Sequence, residues 1–589
     1  MREKIPPLRA ACSLQKSGVS RNGPCSEQRR ELKLNAGCLR NQDCIGTGKS
    51  FVDCREVSMK RTALRNSGWC WGVAVLAAGL CAQAQMTTSQ YDNARTGAYL
   101  HERTLTPQNV NAQQFGKLFT LRVDGDVYAQ PLFLSGVEVP GKGRHDVLFV
   151  VTEHDSVYAF DAYGRPAAPL WHVSFLKDGA TPVPAMDVQC PFIRPEVGVT
   201  STPVIDAKTG TLYVLARTKD GQGSGSEYHQ RLHALAVTTG AEKSGGPVEI
   251  RASVQGTGDG SARGRVKFEP LRENPRAALL LVNGMVYLTW ASSCDVGPYH
   301  GWVMAYDAQS LKQRAVFNDS PNADDGGIWA SDTGPAADGA GNLFVATGNG
   351  RFDAAKGGHD YGDSLLRMSL TGAGLRAVDY FTPFNVDELD KTDRDLGSGG
   401  PLLLPDQPGA HPHVALVGGK GPMIYVVDRD RMGQFHAGDN SHAVQTIATV
   451  GGIFGSMAYW NHHVYVLSDG DALRDYEVKD GRLTFRAASN FRFPVDAATP
   501  TVSANGDKDG IVWVMSSKAW DATAGTPVLH AVDALHVTHE LYNSAQNAAR
   551  DEAGAGTALR FNLPMVMNGH VYAGAKGEVD VYGLLSTKH

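Results

Sequence analysis

From Gln85 onward the chain alternates short apolar runs with polar, Gly-rich punctuation, and the runs recur in threes. A middle strand reads VLFVVT at 147–152, TLYVLA at 211–216, MVYLTW at 285–290 and NLFVAT at 342–347. It returns as VALVGG (414–419), HVYVLS (463–468), IVWVMS (511–516) and HVYAGA (570–575). The strand after it reads SVYAFDA (156–162), LHALAV (232–237), VMAYDA (303–308) and LLRMSL (365–370). Its later copies are IYVVDRD (424–430), LRDYEV (473–478), VLHAVDA (528–534) and EVDVYGL (578–584). Each pair follows a leading strand: YAQPLFL, TSTPVID, PRAALLL, DTGPAAD, SGGPLLL, GSMAYWN, ATPTVSA or NLPMVMN. β-Branched and aromatic runs bounded by Gly, Asn and Asp predict strands. No sustained 3.6-residue period accompanies them, so the chain reads as all-β.

Eight copies of one unit of roughly 50–75 residues are the size and number of propeller blades with their loops. A stack of β-sandwiches would need linkers between independent cores, and none is visible. The expected fold is therefore an eight-bladed β-propeller of four-stranded antiparallel blades, one domain over 85–589. The run at 115–121 (FGKLFTL) is an orphan strand before the first blade, and the last blade, ending near Leu585, lacks a fourth strand. The N-terminal strand is expected to close the ring by completing that blade.

Composition changes the picture mainly before residue 85. Five of the nine cysteines (Cys12, Cys25, Cys38, Cys44, Cys54) fall in the first 58 residues, which show neither strand nor helix periodicity. Met59 then opens a basic head (Lys60, Arg61, Arg65), an apolar run from Trp69 to Cys81, and Ala82-Gln83-Ala84. That is the three-part layout of a secretory signal peptide cut before Gln85. Residues 1–58 are accordingly expected to be a non-native or disordered extension, 59–84 a signal peptide, and the mature protein exported to the periplasm or medium. Gly46–Ser50 (GTGKS) lacks the first Gly and the strand of a phosphate-binding loop and is read as chance. The mature part carries a net charge of −13 and keeps only Cys190 and Cys294, which either pair or stay as buried thiols. An acidic chain argues against general nucleic-acid binding, and no apolar run is long enough for a membrane span.

The phrases VYAFDA (157–162) and VMAYDA (303–308) resemble the repeat of the pyrroloquinoline quinone (PQQ) β-propellers, over essentially all of 85–589. That superfamily contains quinoprotein alcohol dehydrogenases and non-catalytic members such as the BamB-type assembly scaffold, and this chain looks most like secreted bacterial proteins labelled "pyrrolo-quinoline quinone". In the dehydrogenases a Ca²⁺ lies against PQQ, held by a Glu and an Asn, with an Asp as base. The resemblance puts the Asn at Asn349, in ATGN after the Trp329 phrase, and the base at Asp360 or Asp363. It puts Asp295 about where the Glu belongs, one residue out of step and shorter by a methylene, about 1.5 Å of reach. The vicinal cysteines under the quinone have no counterpart, since the chain contains no Cys-Cys.

Fold alone does not give function. The first expectation is a monomeric binding or scaffold module that meets an unknown protein or small-molecule ligand at the channel mouth. Glu196, Arg276, Trp329, Asn349 and Asp360 are the residues expected there. The alternative is a diverged PQQ- and Ca-dependent oxidoreductase acting on alcohols or sugars, with Asp295 and Asn349 as metal ligands and Asp360 as base. Glu153-His154-Asp155 is read as a tight turn between two strands. Trp302 and Trp460 either line the mouth with Trp329 or pack between sheets.

Overall fold

The computed structural model describes residues 85–586 apart from 222, 244, 332, 494–498, 517–524 and 555–558; the expected extension (1–58) and signal peptide (59–84) lie outside the described residues. Eight sheets form the blades of a β-propeller. Their leading strands are Leu132–Val139, Val204–Asp206, Leu280–Val282, Ala336–Ala337, Leu402–Leu403, Ala458–Trp460, Thr501–Asn505 and Met565–Met567. Every one overlaps a predicted leading phrase, and the middle and third strands overlap the predicted runs as well. The ring closes as the sequence implies. Phe115–Arg122 pairs antiparallel with Glu578–Leu584, from Phe115↔Leu584 to Arg122↔Glu578. Phe115 is fully buried there, with ring centroids 5.5 Å from Trp513 and 5.0 Å from Tyr542.

The uniform four-strand blade needs correction, because the blades carry four to six strands. The second blade adds Thr181–Pro184 and Glu196–Val197, the fourth adds Gln434–Phe435 in parallel, and the N-terminal segment adds strands to the first and seventh. These additions are two to four residues long, too short to show a period of two.

The aspartate that ends many third strands has a repeated job. Asp161, Asp307, Asp428 and Asp533 each accept backbone N–H groups from the turn that follows, from Tyr163, Ser310, Asp430 and Leu535 respectively, at 2.8–3.0 Å. These side-chain-to-backbone bonds fix the turn into the outer strand. The repeat phrase is thus a turn-making device, and the exposed hairpins it shapes lie away from the mouth.

One element has no counterpart in the predicted pattern. Residues 85–99 thread along the inner edges of the blades. Gln85–Met86 pairs with Leu134 and Phe133 of the first blade. Ile205 donates to the Thr87 carbonyl, Ala337 to Asn93, Leu403 to Ala94, Tyr459 to Thr96 and Val502 to Gly97, all at 2.7–2.9 Å. The Asn93 amide reaches the Leu281 carbonyl at 3.0 Å, and the Tyr91 hydroxyl bonds both the N–H and the carbonyl of Val566. All eight leading strands are touched. An innermost strand exposes a row of unpaired backbone groups, and this plug pairs part of that row in every blade. Gly97, at φ +71°, makes the turn into the seventh blade, where a Cβ would stand 3.2 Å from that of Ala458.

Arg95 anchors the plug and is completely buried. It donates to the Pro335 carbonyl (3.0 Å), Thr88 Oγ1 (2.8 Å), the Ser89 carbonyl (2.7 Å) and the Leu279 carbonyl (3.3 Å). Burial lowers its pKa to about 10, so it stays charged at neutral pH.

Candidate functional site

The segments that lead into the inner strands gather at one mouth of the ring and line a pocket of about 110 Å³, smaller than the ~300–1,000 Å³ usual for small-molecule sites. Its wall takes residues from five blades, among them Tyr128, Phe192, Arg276, Trp329, Arg560 and Phe561. Two arginines share one aromatic ring. The Arg276 guanidinium lies 5.4 Å from the Tyr128 ring and 5.5 Å from Phe561. That of Arg560 lies 4.2 Å from Phe192 and 5.0 Å from Phe561. Trp329 meets Tyr299 edge-on at 6.0 Å. Stacking of this kind holds guanidinium planes in place. The plug follows directly below: Gln130, two residues on from Tyr128, and Thr333, two on from Ser331, are both hydrogen-bonded to Gln90.

Cys190 and Cys294 form a disulfide across 104 residues, and both line the same pocket as Trp329. This resolves the choice the sequence left open. The bond joins segments of the second and third blades and is not made between neighbouring residues.

The Glu153–Asp155 turn forms as expected, with Asp155 at φ +53° donating its N–H to the Thr152 carbonyl at 3.1 Å. Its acids do more than turn the chain. Glu153 is 1% exposed, and its Oε2 accepts from Gly198 N–H (2.7 Å) and the Thr200 hydroxyl (3.0 Å). Its Oε1 has no hydrogen-bond partner among the described residues. Burial pushes this carboxyl up to about 7, against the pull of those two bonds and of the Arg276 charge nearby. Burial likewise pushes Asp126 up to about 6. Glu196, expected at the mouth, is at the rim, where its Oε1 lies 2.6 Å from His154 Nδ1.

The remaining predicted residues divide. Arg276 and Trp329 line the pocket, whereas Trp302 and Trp460 are fully buried between sheets. Asn349 lies beyond Trp329. Its N–H donates to Asp395 (2.8 Å), its amide donates to Asp393 (3.1 Å), and its buried Oδ1 has no partner among the described residues. Gly348 permits this approach, because a Cβ there would strike both the Trp329 ring and the Asp395 carboxylate. Asp395 is 1% exposed and pairs with Lys420 Nζ at 2.5 Å. Burial raises its pKa while the ammonium opposes the shift. Asp363 is buried in the same neighbourhood and accepts the Leu396 N–H. Asp295 accepts from the hydroxyls of Ser292 (3.0 Å) and Tyr299 (3.1 Å). Asp360 is also buried, but its Oδ1 accepts the Asn322 N–H and its neighbours are Asp353 and Arg351. Asp295, Asn349 and Asp360 therefore share no hydrogen-bond partner.

A hard cation wants six to eight oxygens. The unpartnered Asn349 oxygen is one such donor, but Lys420 already occupies the carboxylates beside it. No group of three or more His, Cys, Asp or Glu side chains placed to hold a metal occurs among the described residues.

Sequence reasoning did not single out Arg560, Phe561, Asp395 or Lys420 as site residues. Arg560 and Phe561 sit in an irregular stretch of the last blade, and only ring closure brings them beside Arg276.

No family model matches the chain, and no curated protein matches it either. Among solved structures it is similar to a quinohemoprotein alcohol dehydrogenase from Pseudomonas putida HK5, at 15% identity and a TM-score of 0.57, over 86% of this chain and 81% of that one. The quinohemoprotein alcohol dehydrogenase from Comamonas testosteroni matches at 14% identity and a TM-score of 0.55, over 85% and 80% of the two chains. A europium-containing methanol dehydrogenase matches at 14% and 0.53, over 85% and 98%. At such identities the likeness is one of fold.

Proposed function

We propose that this propeller is a binding module for a planar aromatic ligand bearing carboxylates, bound at the mouth where the pocket opens, and that pyrroloquinoline quinone is the first ligand of that class to test. The observation that carries this reading is the pair Arg276 and Arg560, both stacked on Phe561 in a pocket that also holds Trp329. A flat ring system finds an indole and a phenyl surface there, and its carboxylates find two guanidiniums. Glu153 offsets part of the Arg276 charge when ionised, so the pocket is most cationic when that carboxyl carries its proton. The quinone, when bound, supplies the capacity to accept two electrons. The residues of this chain bind it, orient it and shield it from water on the plugged side. The fold neighbours named as quinohemoproteins support the choice of quinone. This reading rests on the arginines and needs no calcium.

We also read the protein as exported. The signal-like segment at 59–84 supports this, and so does the Cys190–Cys294 bond, since disulfides persist in oxidising compartments.

Equilibrium dialysis of the purified chain against PQQ tests the reading, with expected uptake of one quinone per chain at micromolar concentration. No uptake would overturn it. Arg560→Met should weaken uptake about ten- to a hundredfold, since a charge-assisted bond contributes about 1.5–3 kcal/mol. Dye-linked oxidation of alcohols or sugars by the loaded protein then separates an oxidoreductase from a module that only binds.

A further inference from the structure

One wall of the pocket is an excursion from the second blade, joined to its sheet through Val183↔Val197 and Pro184↔Glu196. Residues 185–197 supply Val188, Cys190, Phe192, Ile193 and Val197 to it. Their apolar contacts form a small cluster of their own: Val183, Val188 and Val197, with Cys190, Ile193, Tyr228 and Leu271 packed alongside, apart from the cores between blades. Much of the segment's backbone bonding is internal, with Ala185 donating to Pro195, Asp187 to Pro184 and Cys190 to Ala185. Met186 at its tip is 85% exposed. Across the pocket the segment is tied by the Tyr128 hydroxyl on the Phe192 carbonyl (3.3 Å), by Arg560 over the Phe192 ring, and covalently by Cys190 to Cys294 of the third blade. Below the pocket the plug pairs with all eight leading strands, so the mouth is the way in and out.

We propose that residues 185–197 are a lid over the mouth pocket and that the Cys190–Cys294 disulfide is its latch, setting how long a bound ligand stays. This rests on the reading of the pocket as a ligand site. With the bond intact, the lid is fixed to a neighbouring blade and a ligand leaves only through brief local openings. With the bond broken, only noncovalent contacts hold the lid, among them the Phe192 contacts, the Asp187 bonds to Lys219 and Tyr228, the Glu196–His154 pair and the small cluster, and it opens without unfolding the ring. The opening step is ordinary thiol–disulfide exchange. A dithiol reagent gives two electrons and two protons to the S–S bond, leaves Cys190 and Cys294 as thiols, and becomes its own cyclic disulfide.

Two measurements on the mature chain test this. The first needs no ligand: hydrogen exchange of peptides covering 185–197, before and after reduction with dithiothreitol. Lid amides should exchange at least tenfold faster after reduction, while leading-strand amides such as those of 132–139 keep their protection. Unchanged lid exchange would overturn the latch whatever the pocket binds, and loss of protection throughout the ring would overturn it by showing that the bond supports the whole fold. The second compares PQQ release, by dilution and quinone absorbance, from the native chain and from Cys190→Ser/Cys294→Ser, which avoids reducing the quinone chemically. Release at least tenfold faster from the variant is expected, and equal release rates would overturn the latch. If the native chain takes up no PQQ, the ligand reading fails while the exchange experiment still decides the lid.

Discussion

Glu153 provides a quantitative test of the electrostatics beneath the mouth. Its carboxyl titrates near 7 in the folded protein against 4.5 for the unperturbed group, and it is fully buried. The difference of about 2.5 pH units corresponds to about 3.4 kcal/mol. The folded state holds the proton more tightly than the unfolded chain does, so this contribution is fully present below about pH 4.5 and is lost as pH rises through 7. Glu153→Gln keeps an oxygen for Gly198 N–H and the Thr200 hydroxyl but cannot ionise. Its amide also places a donor near Asp126 and Glu196, which suits an acidic neighbourhood. The variant should therefore match the native chain at pH 5 to within about 1 kcal/mol and exceed it by about 2–3 kcal/mol at pH 8.5. Urea midpoints and slopes for both proteins at pH 5, 6, 7 and 8.5 give the difference. Buried acids that do not interact with Glu153 titrate alike in both proteins and cancel from it. A stability difference that stays constant across that range would refute the reasoning.

Three further outcomes follow from named contacts. Arg95→Met removes a buried charge, worth about 3.4 kcal/mol from its lowered pKa, but orphans three buried carbonyls at about 2 kcal/mol each. A net loss of about 2–3 kcal/mol in urea unfolding is expected, and an unchanged midpoint would argue against the plug as a structural element. Lys420→Met leaves Asp395 buried without its cation and should cost about 3–5 kcal/mol; adding Asp395→Asn should restore most of it, whereas additive losses would deny the coupling. Glu153→Gln should tighten binding of an aromatic carboxylate such as PQQ at pH 8 severalfold and leave it unchanged at pH 5, as read by calorimetric titration at both pH values.

The ring was legible because each strand announces itself locally. Short β-branched and aromatic runs bounded by Gly repeat eight times, and in four blades an Asp makes the next turn. The orphan strand at 115–122 could be paired with the last blade from counting alone. The plug could not, because it meets most blades through one or two backbone bonds, and its residues (MTTSQYDNARTGAY, 86–99) show no alternation. The mouth was partly legible. Arg276 and Trp329 each lie just before a leading strand, where the topology sends them to the axis. The disulfide, the Arg276–Phe561–Arg560 stack and the burial of Glu153 depend on residues from the first, second, third and last blades meeting. Spacing along the chain carries no record of that. Asp360 illustrates the converse: its loop is where a base was expected, but the loop folds back to bond Asn322, and Asp395, further along, is the buried carboxylate beside Asn349.

The most direct measurement is a crystal structure of the chain grown with saturating PQQ. The quinone is expected at the mouth pocket, its ring against Trp329 and Phe561 and its carboxylates on Arg276 and Arg560. An empty mouth pocket under those conditions, or the quinone bound elsewhere on the ring, would contradict that expectation.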